Sequence, residues 1–280
     1  MPEEKAMIHK RIKLFEDKEV FLSTYIHDDI GTYGTENGRG AIIVLPGGAF
    51  AFLSPFEAEP VALTFMQKGF HAFVLEYTVG DNCKYPDVLV ECSRAIQIVR
   101  DNAEQWNVDP NKVTLMGFSA GACLAGMSAT QWNAPEISAA LGVEPEYIRP
   151  DSAVIAYGCW DNSGTIWNDP EFANPGASDF PKNCPPQLDL INYVGKHVCP
   201  LFIWHNQQDR YVPVRNCLMI AEEMCKLKIP VELHLYAGGE HGLSVANPLS
   251  VQDQRQQAVV EANPNVSMWV EMAVNWITRL

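Results

Sequence analysis

The stretch Lys112–Gly126, KVTLMGFSAGACLAG, decides how this chain is read. It opens with β-branched and apolar residues, isolates Ser119 between Gly117 and Gly121, and then becomes rich in alanine. A buried strand followed at once by a helix fits that order. The Gly-x-Ser-x-Gly pattern carries meaning only in such a setting, where a sharp turn pushes the hydroxyl out at the carboxyl end of a sheet. Glycines on either side let strand and helix approach closely, because a Cβ would clash. The helix start adds N–H groups and partial positive charge beside the oxygen. The plain alternative is that Ser119 only caps a helix.

Outward from this stretch, strand-like and helix-like segments alternate. AIIVL (41–45) ends at a Pro-Gly-Gly turn, and HAFVLEY (71–77), SAVIAYG (152–158), CPLFIWH (199–205) and VELHLY (231–236) follow. This alternation predicts an α/β fold with a mostly parallel sheet and helices on both faces. RIKLF (11–15) and VFLSTYI (20–26) come before any helical pattern and predict an antiparallel start.

Ser54, Pro55 and Glu57 together predict a capped helix start, with the helix ending near Lys68 and Gly69. Leu89, Cys92, Ile96, Val99 and Ala103 share one face of a helix from about Pro86 to Trp106. Asp109-Pro110-Asn111 reads as a turn. Two later helices place Val214, Leu218, Ala221 and Cys225, then Val266, Val270, Ala273 and Ile277, on single faces. No linker separates two domains, so residues 1–280 read as one domain. Residues 160–197, rich in Pro, Asn, Asp and aromatics, read as a lid-like insertion shaping a binding site.

Composition limits the function. The chain has 280 residues and is 47% hydrophobic, enough for a core without metal or disulfide staples. Its net charge of −14 argues against nucleic acid and anionic membrane surfaces as partners. The charged N-terminus carries no secretory h-region, and no run suits a membrane helix. Eight scattered cysteines, with no CxxC pair, read as buried free thiols of a cytoplasmic protein. A homo-oligomer stays open.

A serine hydroxyl needs a base, usually a histidine held by a carboxylate. Of seven histidines, His71, His205 and His234 fall at or inside strands, His9 and His27 lie near the N-terminus, and His197 borders the insertion. His241, in AGGEHGL (237–243), follows the last strand in a glycine-flanked loop that can reach Ser119. Asp209, in the loop after CPLFIWH, is the better placed acid; Glu240 adjoins the histidine and Asp179 lies in the insertion. A metal site from His205, Asp209 and His241 lacks any ligand-spaced motif. LPGGAF (45–50) offers the N–H groups of Gly48 and Ala49, with that of Ala120, as an oxyanion hole. Phe50, Phe52, Trp160 and Trp167 are candidates for lining a substrate pocket, against ordinary packing.

With these residues the chain resembles the α/β-hydrolase superfamily. It is most similar to hormone-sensitive-lipase-like carboxylesterases and their bacterial acetyl-esterase and acetyl-xylan (sugar-ester) esterase branch. The resemblance rests on LPGGAFAFLSPFEAEPVA, VLEYTVG, the run from YPDVLVECSRAI through GFSAGACLA, FIWHNQQDRYVPV and VELHLYAGGEHGL. It implies a cofactor-free serine hydrolase of small carboxylic esters, with Ser119 as nucleophile, His241 as base and Asp209 in support. Pro46 stands where the lipase-like pattern has histidine, Ala49 replaces its third glycine, and Ala122 replaces a second glycine after the serine. A peptidase of the prolyl-oligopeptidase kind shares the triad order but needs a propeller-sized extension. A non-catalytic binding protein on the same fold would have lost the nucleophile or the base.

Overall fold

The computed structural model describes residues 7–28, 31, 35–160 and 190–280. Its strands are β1 (Arg11–Lys13), β2 (Phe21–Tyr25), β3 (Arg39–Leu45), β4 (His71–Glu76), β5 (Val108–Phe118), β6 (Ser152–Ala156), β7 (Leu201–Asn206) and β8 (Val231–Tyr236). They form one eight-stranded sheet in the order β1-β2-β4-β3-β5-β6-β7-β8. β1 and β2 pair antiparallel with their neighbours, and every later pairing is parallel. This is the α/β-hydrolase fold, with the antiparallel start that the sequence predicts.

The helices are α1 (Glu59–Gln67), α2 (Asp87–Asp101), α3 (Ala103–Trp106), α4 (Ala120–Gln131), α5 (Pro135–Leu141), α6 (Arg215–Leu227), α7 (Gln254–Ala262) and α8 (Trp269–Arg279). Both sheet faces are covered, which explains the continuous apolar runs. Along β3, Ala41, Ile43 and Leu45 join the core that contains α2 and α4 residues, while Ile42 and Val44 join the core beneath α1 and α8. Each fully buried aliphatic side chain contributes about 1.5–3 kcal/mol relative to exposure.

The chain leaves β3 for β4 on one side and returns to β5 on the other. Neighbouring connections diverge there, and in such sheets ligands settle beyond the carboxyl ends of the strands at that point. The Pro46-Gly47-Gly48 turn leaves β3 at this point, and Ser119 leaves β5.

Three local expectations are corrected. Ser54 makes no side-chain cap, and Pro55–Glu57 is a short 3₁₀ turn before α1. The Glu57 carboxylate turns inward instead, where buried donors await it. The helix expected over 86–106 breaks at Asn102, whose side chain bonds back to the Ile98 carbonyl. Asp109-Pro110-Asn111 forms a side-chain turn, with Asn111 N–H donating to Asp109, but lies within β5. The ladder skips there, because Arg39 pairs with Val108 and Ala41 with Val113. The insertion expected over 160–197 lies mostly outside the described residues.

Candidate active site

Ser119 joins β5 to α4 at φ 51° and ψ −116°, a conformation that costs a non-glycine residue about 1–3 kcal/mol. Its N–H donates to the Ala156 carbonyl at 3.0 Å, and its carbonyl accepts from Ala122 N–H at 3.0 Å. Gly121 makes the turn feasible: a Cβ there would lie 1.9 Å from the Leu45 carbonyl oxygen. The hydroxyl makes no cap bond, so the plain helix-cap reading fails.

The Ser119 hydroxyl instead lies 2.8 Å from His241 Nε2. His241 Nδ1 is 2.7 Å from Asp209 Oδ2. Asp209 is an acceptor, so Nδ1 carries the proton and bare Nε2 accepts from the serine. Asp209 is buried and held on its other oxygen by Tyr211 N–H at 2.8 Å and Val212 N–H at 2.9 Å. Burial alone would raise its pKa. His241 and His205 outweigh that and hold the carboxyl well below the usual range. Burial likewise pushes the His241 pKa down, but Asp209, then Glu57 and Glu240, bring it net above its ordinary 6.5.

The residues expected to meet do meet. Asp179 and Trp167 lie outside the described residues, and the Glu240 carboxylate pairs with Arg255. The remaining histidines bond elsewhere: His9 to Thr24 O, His27 to Met66 O, His71 to Asn107 O, His197 to Thr130 O and His234 to Glu232. Among the described residues no group of three or more His, Cys, Asp and Glu side chains is arranged to hold a metal ion.

The Gly48 turn begins beside Ser119, since a Cβ on Gly47 would lie 2.9 Å from Ser119 Cβ. Gly48 has φ 124° and Ala49 φ 55°. The turn's own bonds run from Ala51 N–H and Phe52 N–H to the Gly48 carbonyl, which uses its oxygen and not its amide. Ala120 N–H belongs to the first turn of α4, where amides lack helical partners.

The aromatic pocket candidates separate. Phe50 is fully buried and packs edge-on against Tyr77, so it serves the core. Trp160 is also buried, close against Gly126. Phe52 is exposed on the turn.

Two residues have roles that the sequence reading did not give them. His205, fully buried, donates from Nε2 to the Val212 carbonyl at 2.9 Å and stands 3.2 Å from Asp209 Oδ2. Its spacing of four residues before Asp209 was the available signal. Glu57, taken for a capping residue, accepts from Gly47 N–H at 2.9 Å and from Tyr157 O–H at 2.7 Å. Nothing local in the sequence distinguishes that use from a cap.

The BD-FAE family model matches residues 32–161. An endo-1,4-beta-xylanase B of Butyrivibrio fibrisolvens is 31% identical over 233 residues, covering 81% of this chain and 35% of that protein. An acetylxylan esterase of Xylanibacter ruminicola is 28% identical, covering 79% of this chain and 45% of its own length. The chain thus spans less than half the length of these curated relatives. A solved acetyl ester-xyloside bifunctional hydrolase from Caldicellulosiruptor lactoaceticus matches at 28% identity and TM-score 0.74, covering 96% of both chains.

Proposed function

From a chain similar to the esterase branch of the α/β-hydrolase superfamily, we propose hydrolysis of small carboxylic esters through an acyl-enzyme. The observation that carries this reading is the 2.8 Å contact from Ser119 Oγ to His241 Nε2. Ser119 Oγ attacks the ester carbonyl while His241 Nε2 takes the hydroxyl proton, and Asp209 stabilises the imidazolium. The N–H groups of Gly48, Ala49 and Ala120 receive the oxyanion, each such donor contributing about 3–4 kcal/mol in the transition state. The tetrahedral intermediate collapses, its C–O bond breaks, and His241 gives the proton to the departing alcohol. Water then attacks the acyl-serine, His241 takes one water proton, and collapse returns that proton to Ser119 with release of the acid.

The preferred substrates are short acyl groups, acetylated sugars among them. The acetylxylan esterase and the acetyl ester-xyloside hydrolase support that choice. The chain acts as a single catalytic domain in the cytoplasm, a placement supported by seven described cysteines that are free thiols. No helix among the described residues is long and apolar enough to cross a membrane.

A substrate panel tests this. Acetyl, butyryl and longer p-nitrophenyl esters, with acetylated xylo-oligosaccharides, are offered to the protein, and a fluorophosphonate probe is followed by peptide mass spectrometry. Turnover should favour the acetyl compounds, and the probe should mark the peptide containing Ser119. Labelling without turnover of any ester would sink the substrate assignment; an unlabelled Ser119 would sink the nucleophile.

The acid side of the pH profile is a second check. His241 must be unprotonated to act as base, so activity falls as pH drops through its pKa. Because that pKa stands above 6.5, the midpoint of kcat/KM should also lie above pH 6.5. A rate that stays flat down to pH 5 would exclude His241 as the base.

A further inference from the structure

Glu57 is a buried carboxylate that the ester chemistry above does not use. One oxygen accepts from Gly47 N–H, next to the Gly48 turn, and the other from Tyr157 O–H beyond β6. Tyr157 Oη in turn accepts from Ser244 N–H at 3.1 Å, three residues past His241. The Ser244 hydroxyl donates to the Phe56 carbonyl at 2.8 Å, closing the circuit beside Glu57. The Tyr157 ring stands edge-on to His241 at 4.9 Å. The packing is close: a Cβ on Gly47 would lie 2.5 Å from Glu57 Oε2 and 2.9 Å from Ser119 Cβ.

We infer that Glu57 is a positioning residue of this site: its carboxylate holds the Gly48 turn and the His241 loop in register, and its charge favours the protonated imidazole. The inference rests on the reading of Ser119 and His241 as nucleophile and base.

The donor pattern fits an anion. Tyr157 Oη already receives the Ser244 N–H, so its own proton is directed to Glu57, and both carboxylate oxygens act as acceptors. Burial dominates and holds the Glu57 pKa above its ordinary 4.5, with Tyr157, His241 and Gly47 pulling against that rise. A buried charge is costly unless its partners repay it, and an apolar side chain would fill the space more cheaply. The charge has a use in catalysis. Positive charge develops on His241 as Ser119 attacks, so an anion fixed nearby interacts more strongly with the transition state than with the resting site.

Among the described residues, the charged and titratable groups facing His241 are Asp209 and Tyr211 from the loop after β7, Tyr157 from beyond β6, Glu57, and Glu240 beside it. Glu240 is paired with Arg255, and Asp209 also meets His205. Glu57→Gln keeps the volume and an acceptor for Gly47 N–H but removes the charge. Tyr157→Phe keeps the carboxylate and cuts the circuit.

The experiment measures kcat and KM for p-nitrophenyl acetate across pH, with the His241 titration followed by NMR. Glu57→Gln should lower kcat at least about tenfold while KM changes less. It should also move the His241 midpoint, and the acid limb of kcat/KM, to lower pH. Tyr157→Phe should lower kcat in the same way. An unmoved His241 midpoint in Glu57→Gln overturns the inference, whether kcat survives or falls with the melting temperature. The NMR midpoint does not depend on turnover. A wild-type protein that hydrolyses no ester would therefore count against the proposed function and leave the Glu57 result readable.

Discussion

Ser119→Ala is expected to remove ester hydrolysis almost entirely, with kcat for p-nitrophenyl acetate falling by about 10⁵–10⁶-fold. The substitution deletes the only atom proposed to form a covalent bond with substrate. Oxyanion donors and binding contacts survive, so a small residual rate over water is compatible with the mechanism. Folding should be little affected. The hydroxyl bonds to His241 and does not cap α4. Alanine carries the same Cβ as serine, so the penalty of φ 51° is unchanged. Stability should therefore shift by no more than about 1 kcal/mol. Near wild-type turnover in a folded Ser119→Ala protein would require another nucleophile, and the reading of the site would fail.

The centre of this site was legible because its residues announce themselves locally. Ser119 lies in a strand-turn-helix pattern, and His241 and Asp209 each follow a strand that ends on the same side of the sheet. Parallel topology then brings residues 119, 209 and 241 together without further information. What surrounds them was less legible, because it depends on contacts between distant segments. Glu57 follows Ser54 by three residues, the spacing of a capping box. Whether its carboxylate turns back to the helix start or into the core is decided by Gly47 and Tyr157, ten and one hundred residues away.

For Phe50 the sequence leaves pocket lining and ordinary packing open, for a related reason. Successive positive φ angles at Gly48, Ala49 and Phe50 direct the ring into the core against Tyr77, which local sequence does not reveal. His205 reads as strand packing from its neighbours. Its contact with Asp209 appears only once the turn after β7 brings position 209 back onto the strand end.

Gly121→Ala should be the most damaging substitution that touches no polar group of the site. The added Cβ would lie 1.9 Å from the Leu45 carbonyl oxygen and 2.6 Å from that of Pro46, both backbone atoms. β3 cannot yield easily, since it is paired with β4 on one edge and β5 on the other. α4 must therefore shift away from the sheet. Overpacking against rigid backbone should cost about 3 kcal/mol or more, lowering the melting temperature by roughly 6 °C or more for a chain of this size. Activity should fall further than stability alone explains, because Leu45 and Pro46 lead directly into the Gly48 turn while Ala120 rides on α4. Gly142→Ala is the control. Gly142 has φ +66° with nothing within 4 Å of an added Cβ, so only the backbone penalty of about 1 kcal/mol applies. Thermal melts of the two proteins beside wild type separate crowding from conformation. Equal melting temperatures for both variants would mean that α4 and β3 can part freely, and that their close approach does not set the geometry between Ser119 and the Gly48 turn.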